Sequence, residues 1–292
     1  MTSLAATTFG AALLAAALAP STVLSAQAAT TASAQAATTA VPGLHRVAAA
    51  SAVGSPATAR VTAECAPGES ITGVGGEVSG GRGQAGLSTY TDIEREWGSV
   101  SADEDADGTA NAWSVTAYAI CSGAGHRDSV NAFSASNSAA EKAVTVSCPA
   151  GTFTTGAAAS TSDGGRLVLD DAIPSADLTK VTVDVFESQA GRADDWSAIA
   201  SARCGDALPG LERVAATSPT DSATDKSVTA TCPAGKKVVG TGHELTNAKG
   251  QVLLDDVVPS EDLTSVRAEA FEDQDGTTAA WSLTAYAVCA TT

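Results

Sequence analysis

Trp281-Ser282-Leu283-Thr284-Ala285-Tyr286-Ala287-Val288-Cys289 alternates along its length, and this alternation decides the fold. Successive side chains of an extended chain point to opposite sides, so Trp, Leu, Ala, Ala and Cys share one face. The frame recurs from Trp113 to Cys121 and, in poorer form, from Trp196 to Cys204, which ends Ala202-Arg203-Cys204. Upstream of each stretch a second alternating run ends in a cysteine: Val61 to Cys65, Val144 to Cys148 and Val228 to Cys232. Each is a half-buried strand with its cysteine turned inward. Both cysteines of a copy therefore face the same interior. The copies start 83 and 84 residues apart.

More strands lie between these markers. Val181, Val183 and Val185 alternate with polar residues, as do Val266, Ala268 and Ala270. A strand also opens each copy near Leu44 to Ala48, Val130 to Ala135 and Leu211 to Ala216. Gly73, Gly156 and Gly240, each eight residues after a first cysteine, mark a bend or a close backbone approach. Asp107-Gly108 and Asp275-Gly276 read as hairpin turns. Pro174-Ser175 and Pro259-Ser260 read as caps of one short helical turn. The architecture is all-β, with five or six strands per copy. Fewer than ten residues separate Cys121 from Val130 and Cys204 from Leu211. Connections this tight favour packing about a pseudo-threefold axis, as in a β-prism. The alternative is three small β-sandwich domains in tandem.

Six cysteines allow 15 pairings. Pairing within copies repeats with the sequence: Cys65 with Cys121, Cys148 with Cys204 and Cys232 with Cys289. Each bridge closes a long loop and contributes roughly 4 kcal/mol in the chain-entropy view. A metal site is the other reading, but the cysteines are isolated and show no CxxC spacing. Aromatic content is only 4%, so each copy builds a thin core that such staples reinforce.

Residues 1–28 read as a secretory signal, with an apolar stretch from Phe9 to Leu24 and a small-x-small site at Ala26-Gln27-Ala28. Pro20 interrupts the stretch, which is too short to span a bilayer. Residues 29–40, rich in Ala and Thr, read as a disordered tether. The repeats then occupy 41–125, 126–208 and 209–292. The expected location is extracellular. A net charge of −17 repels phosphate backbones and anionic membranes, so nucleic-acid binding and membrane insertion are not expected. Cations, basic proteins and neutral sugars remain open.

No Gly-x-Ser-x-Gly elbow, Ser-x-x-Lys, His-Glu-x-x-His or phosphate-cradling loop is present. The three histidines, His45, His126 and His243, sit at unrelated offsets. A hydrolase, by paired carboxylates or by a triad of His243 with a distant serine, is the second alternative among the functional readings. Asp105-Ala106-Asp107-Gly108 and Asp273-Gln274-Asp275-Gly276 resemble half of a calcium loop, which makes Asp105, Asp107, Asp273 and Asp275 candidate ligands for calcium. The copy-two counterpart, Ser188-Gln189-Ala190-Gly191, lacks the acids. Copies two and three share Leu167-Val168-Leu169-Asp170-Asp171 and Val252-Leu253-Leu254-Asp255-Asp256. Copy one departs there and carries Tyr90, Asp92, Glu94, Glu96 and Trp97. Aromatic faces stack on sugars and carboxylates bond sugar hydroxyls, so these five residues are the candidate glycan site. The three framework tryptophans read as core.

The frame Cys-Pro-x-Gly, Gly-x-Gly, Trp, Ala-x-Cys resembles a repeat of secreted actinobacterial proteins. Cys232-Pro233-Ala234-Gly235, Gly240-Thr241-Gly242 and Ala287-Val288-Cys289 carry the likeness best. Copy two has Ala158 at the second glycine, and copy one reads Cys65-Ala66-Pro67-Gly68. The resemblance implies an extracellular β module and no activity. The expected function is a secreted, non-catalytic module with three pseudo-equivalent faces that binds extracellular carbohydrate or cell-surface material, weak sites on a rigid body gaining by avidity. A secreted protein-interaction or inhibitor module is the alternative.

Overall fold

The structure is a computed structural model that describes residues 40–93, 96–124, 127–162 and 166–292, with the backbone alone at 92 and 93. The signal and tether expected before residue 40 lie outside these residues. The repeats belong to a single unit made of strands, with no helix among the described residues. Copy one supplies β1 (His45–Ala50), β2 (Thr58–Glu64), β3 (Ser70–Ser79), β4 (Ala85–Ile93), β5 (Trp97–Glu104) and β6 (Ser114–Ser122). Copy two supplies β7 (Asp128–Phe133), β8 (Glu141–Ser147), β9 (Phe153–Thr161), β10 (Leu167–Pro174), β11 (Lys180–Glu187) and β12 (Ala198–Gly205). Copy three supplies β13 (Glu212–Thr217), β14 (Asp225–Thr231), β15 (Lys236–Thr246), β16 (Val252–Pro259), β17 (Ser265–Glu272) and β18 (Ser282–Thr291). The alternation read from the sequence is physical. In β8 every second residue, Lys142, Val144 and Val146, is buried and the residues between are exposed.

Each copy splits into two half-sheets, in copy one β1-β6-β3 and β2-β5-β4. The bridges Cys65–Cys121, Cys148–Cys204 and Cys232–Cys289 join the halves of their own copies. Small inward residues let the halves approach closely. Ala117, Ala119 and Cys121 on β6 are wholly buried, and Trp113 fills the space beyond them.

The half-sheets do not close on themselves. β3 of copy one pairs with β16 of copy three at Gly76↔Val257 and Glu77↔Asp256. β15 of copy three pairs with β10 of copy two at His243↔Ala172 and Glu244↔Asp171. β9 of copy two pairs with β4 of copy one at Ala159↔Tyr90. Each six-stranded sheet is therefore half one copy and half another, and the exchange runs in a ring. Tandem sandwiches would keep their sheets to themselves, so the shared sheets select the ring arrangement.

The third strands, β3, β9 and β15, meet at the centre. A Cβ on Gly240 would lie 1.8 Å from the Thr155 carbonyl oxygen, and one on Gly73 would lie 2.5 Å from Gly240 Cα. Only glycine permits this approach of backbones. Each of these strands also shifts register against its partner near the glycine, a bulge that bends the strand towards the axis. Thr155 Oγ1 donates to the Thr72 carbonyl and Thr241 Oγ1 to the Val74 carbonyl, which ties the three copies together where strand pairing is absent.

Two local readings are corrected. The Asp-Gly turns do not close hairpins: β5 and β6 lie in different sheets, so the turn carries the chain across the sandwich. The Pro-Ser segments form no helical turn. They are hairpin turns between β10 and β11 and between β16 and β17. Ser175 Oγ accepts the N–H of Thr179 and Lys180, and Leu178 takes a positive φ of 57°.

Candidate functional site

The crossing turns are built on the framework tryptophans. Each indole is buried and donates its Nε1–H to a glutamate nine residues upstream: Trp113 to Glu104 at 3.1 Å, Trp196 to Glu187 at 3.0 Å and Trp281 to Glu272 at 3.0 Å. The second carboxylate oxygen takes a backbone N–H from beyond the turn, Arg192 in copy two and Thr277 in copy three. Each glutamate is the last residue of its strand, so this clasp fixes the residues that follow. Asp105 Oδ1 accepts the N–H of Gly108 at 2.9 Å, and Asp273 Oδ1 that of Gly276 at 3.0 Å. Gly108, Gly191 and Gly276 have φ between 64° and 67°, a region that glycine enters freely.

The ring of copies brings the three turns to one end of the axis, around a cavity of about 240 Å³. Copy one lines it with Asp103, Glu104, Asp105 and Asp107, copy two with Arg166, Ser188 and Gln189, and copy three with Asp273, Gln274 and Asp275. Gly86, Val168 and Leu253, at equivalent positions in β4, β10 and β16, supply an apolar floor with Leu167. Gln274 donates its side-chain amide to Asp107 and ties the rims of copies three and one. Ser188 Oγ is buried with no hydrogen-bond partner among the described residues. Burial pushes the Asp105 carboxyl above its usual range, and Asp107 and Asp273 add to that, against the pull of the Gly108 and Asp107 N–H groups. Burial also raises Asp273, with Asp275 and Glu272 contributing.

The candidate calcium ligands Asp105, Asp107, Asp273 and Asp275 are thus gathered into one place. They do not form a tight cage. Among the described residues only His45, Glu69 and Cys121 bring three ligand atoms within 4.8 Å of one another, and the Cys121 sulfur is held in its disulfide.

The glycan candidates of copy one lie elsewhere. Trp97 begins β5 and Glu104 ends it, so Trp97 is roughly 20 Å from the cavity at strand rise. It is 38% exposed. Tyr90 is fully buried, with its hydroxyl 2.8 Å from Nδ1 of His243. A ring with no exposed face cannot stack on a sugar, and the expected aromatic platform is reduced to Trp97. Glu96 is half-buried and its carbonyl accepts the Cys65 N–H. Asp92 lies in β4, and Glu94 lies outside the described residues. His243 is as enclosed as Tyr90, and burial lowers its pKa to about 3.

No family model and no curated protein matches this chain. The site's meaning therefore rests on its own geometry.

The paired acids have a separate role at the sheet junctions. Asp170 accepts the N–H groups of Gly250 and Lys249, and Asp255 that of Arg82, so each carboxyl pins a turn of the neighbouring copy. Burial pushes both to about 8. Beside them, Tyr118 donates to Glu77 under Arg46, and Tyr286 donates to Glu244 under Arg213. The third junction has Ser129, Ser160 and Ser201 at these positions, with the Tyr90–His243 pair nearby.

Two components of the site were not among the sequence candidates. The Glu-to-Trp spacing of nine occurs in all three copies and was open to reading. Arg166 carries no such signal, since its counterparts Gln84 and Gln251 are neutral.

Proposed function

We propose that this protein is a secreted, non-catalytic module that binds extracellular carbohydrate or cell-surface material, with the glycan seated in the axial cavity. One observation carries the reading. Three turns of unlike composition, one from each copy, surround a single recess with carboxylates and amides on the rim and apolar carbon on the floor. Sugars present the same division between hydroxyl edges and C–H faces, and small-molecule sites share this mixture of apolar lining and a few convergent polar groups. The three bridges fit an oxidising compartment, and no helix among the described residues is long and apolar enough to cross a membrane.

A glycan array followed by amide-shift mapping tests this reading. Binding is expected to move the amides of Asp105, Gln189 and Gln274. Absence of glycan binding would refute it. A protein-contact reading is favoured by Phe133, 66% exposed on the outermost strand β7. Capture of a secreted protein that depends on Phe133 would replace the glycan reading with that one.

A further inference from the structure

Resting on the reading of the cavity as a glycan seat, we propose that its ligand is a sugar with a free amine, a protonated 2-amino sugar at a chain end or in a short oligomer. Six carboxylates, Asp103, Glu104, Asp105, Asp107, Asp273 and Asp275, line the cavity against one guanidinium, that of Arg166. Asp105 and Asp273 line the same recess from neighbouring copies, and like charges so placed repel. A neutral sugar leaves that repulsion in place, and a uronic acid or a phosphate adds to it. An ammonium group between the two turns relieves it.

A volume of about 240 Å³ lies just below the range of drug-sized pockets and suits one sugar ring. The ligand oxygens of the rim do not converge as a bare divalent ion needs. The occupant must span the gap between turns and carry its positive charge on a larger frame. On the copy-two side the exposed Gln189 amide offers a sugar hydroxyl its hydrogen-bond partner. Leu253 and Val168 then lie against the ring's C–H face.

Calorimetric titration of the full chain at pH 6 with EDTA tests this, with trimers of glucosamine, N-acetylglucosamine and glucose, and with spermidine. The glucosamine trimer is expected to bind about tenfold or more tightly than either neutral trimer, the factor that one charged hydrogen bond commands. D273N is expected to abolish that preference with its melting temperature unchanged, and D275N, on the exposed rim, to reduce it. Equal binding of all three trimers would overturn the amine preference and leave the glycan seat standing. Binding of no trimer would overturn the amino-sugar ligand, and an array on which no glycan binds would overturn the glycan seat as well. Spermidine binding as tightly as the glucosamine trimer would show attraction of charge alone and would overturn the proposal, as would a glucosamine preference that D273N and D275N both leave intact.

Discussion

Adding one methyl group at Gly240 is expected to cost more stability than at either counterpart. The Cβ of Gly240→Ala would lie 1.8 Å from the oxygen and 2.6 Å from the carbon of the Thr155 carbonyl, and 2.9 Å from Gly156 Cα. These are backbone atoms of β9, which no rotamer change can move, so two central strands must separate. Overpacking of a tight interior costs about 1–3 kcal/mol and occasionally more. Gly240→Ala belongs at the upper end, about 3 kcal/mol. At ~2–4 °C per kcal/mol for a body of this size, the melting temperature falls by ~6–12 °C. Gly73→Ala, 2.5 Å from Gly240 Cα, is expected to follow. Gly156→Ala meets its nearest atom at 3.0 Å and is expected to cost about 1 kcal/mol, the bottom of the same range. Gly123→Ala, with ordinary contacts near 3.7 Å, serves as the neutral control. The assay is differential scanning calorimetry of the oxidised protein. A Gly240→Ala melt within 2 °C of the parent, on the same scale of degrees per kcal/mol, would refute the glycine-lined axis. So would equal losses at Gly156 and Gly240.

Three more outcomes are expected. Asp170 and Asp255 titrate near 8 when folded and near 4 when unfolded. The folded state therefore holds the extra protons; stability is full below pH 4 and falls as pH rises towards 8. Each group contributes about 1.4 kcal/mol per pH unit in that window. Urea titrations at pH 5 and pH 7 should differ by about 3 kcal/mol less in D255N than in the parent, and a parent whose stability rises with pH would contradict the buried carboxyls. Trp281→Phe keeps most of the packing but leaves Glu272 without its indole donor, which should cost about 1–3 kcal/mol in urea unfolding; a neutral result would remove the clasp from the account. Replacing Cys232 and Cys289 by Ala should cost roughly 4 kcal/mol in the same assay, and a loss below 1 kcal/mol would mean that the staple matters little.

The strands and bridges were legible because their signals are local. An alternation of period two needs only a few residues, and an even Trp-to-Cys spacing puts both side chains on one face. The sharing of sheets was not legible in the same way. Each junction rests on one or two residue pairs, such as Ala159↔Tyr90, too few to leave a pattern, and only the short linkers pointed to a closed body. Tyr90 shows the consequence. Within its own copy it reads as a surface aromatic among polar neighbours. It is buried by β9 and β15, which belong to the other copies. The Asp-Gly turns were legible as turns, but a turn signal does not name the strands it joins. The two Asp-x-Asp segments looked like independent half-loops 168 residues apart, and only the ring brings them face to face. Arg166 and the buried Ser188 Oγ became visible only with the cavity.

The central claim is that three copies make one site and not three. Native mass spectrometry of the full chain, titrated with the glucosamine trimer to saturation, tests it most directly. One bound trimer per chain is the predicted result. Successive binding of three trimers with similar affinity would contradict the account.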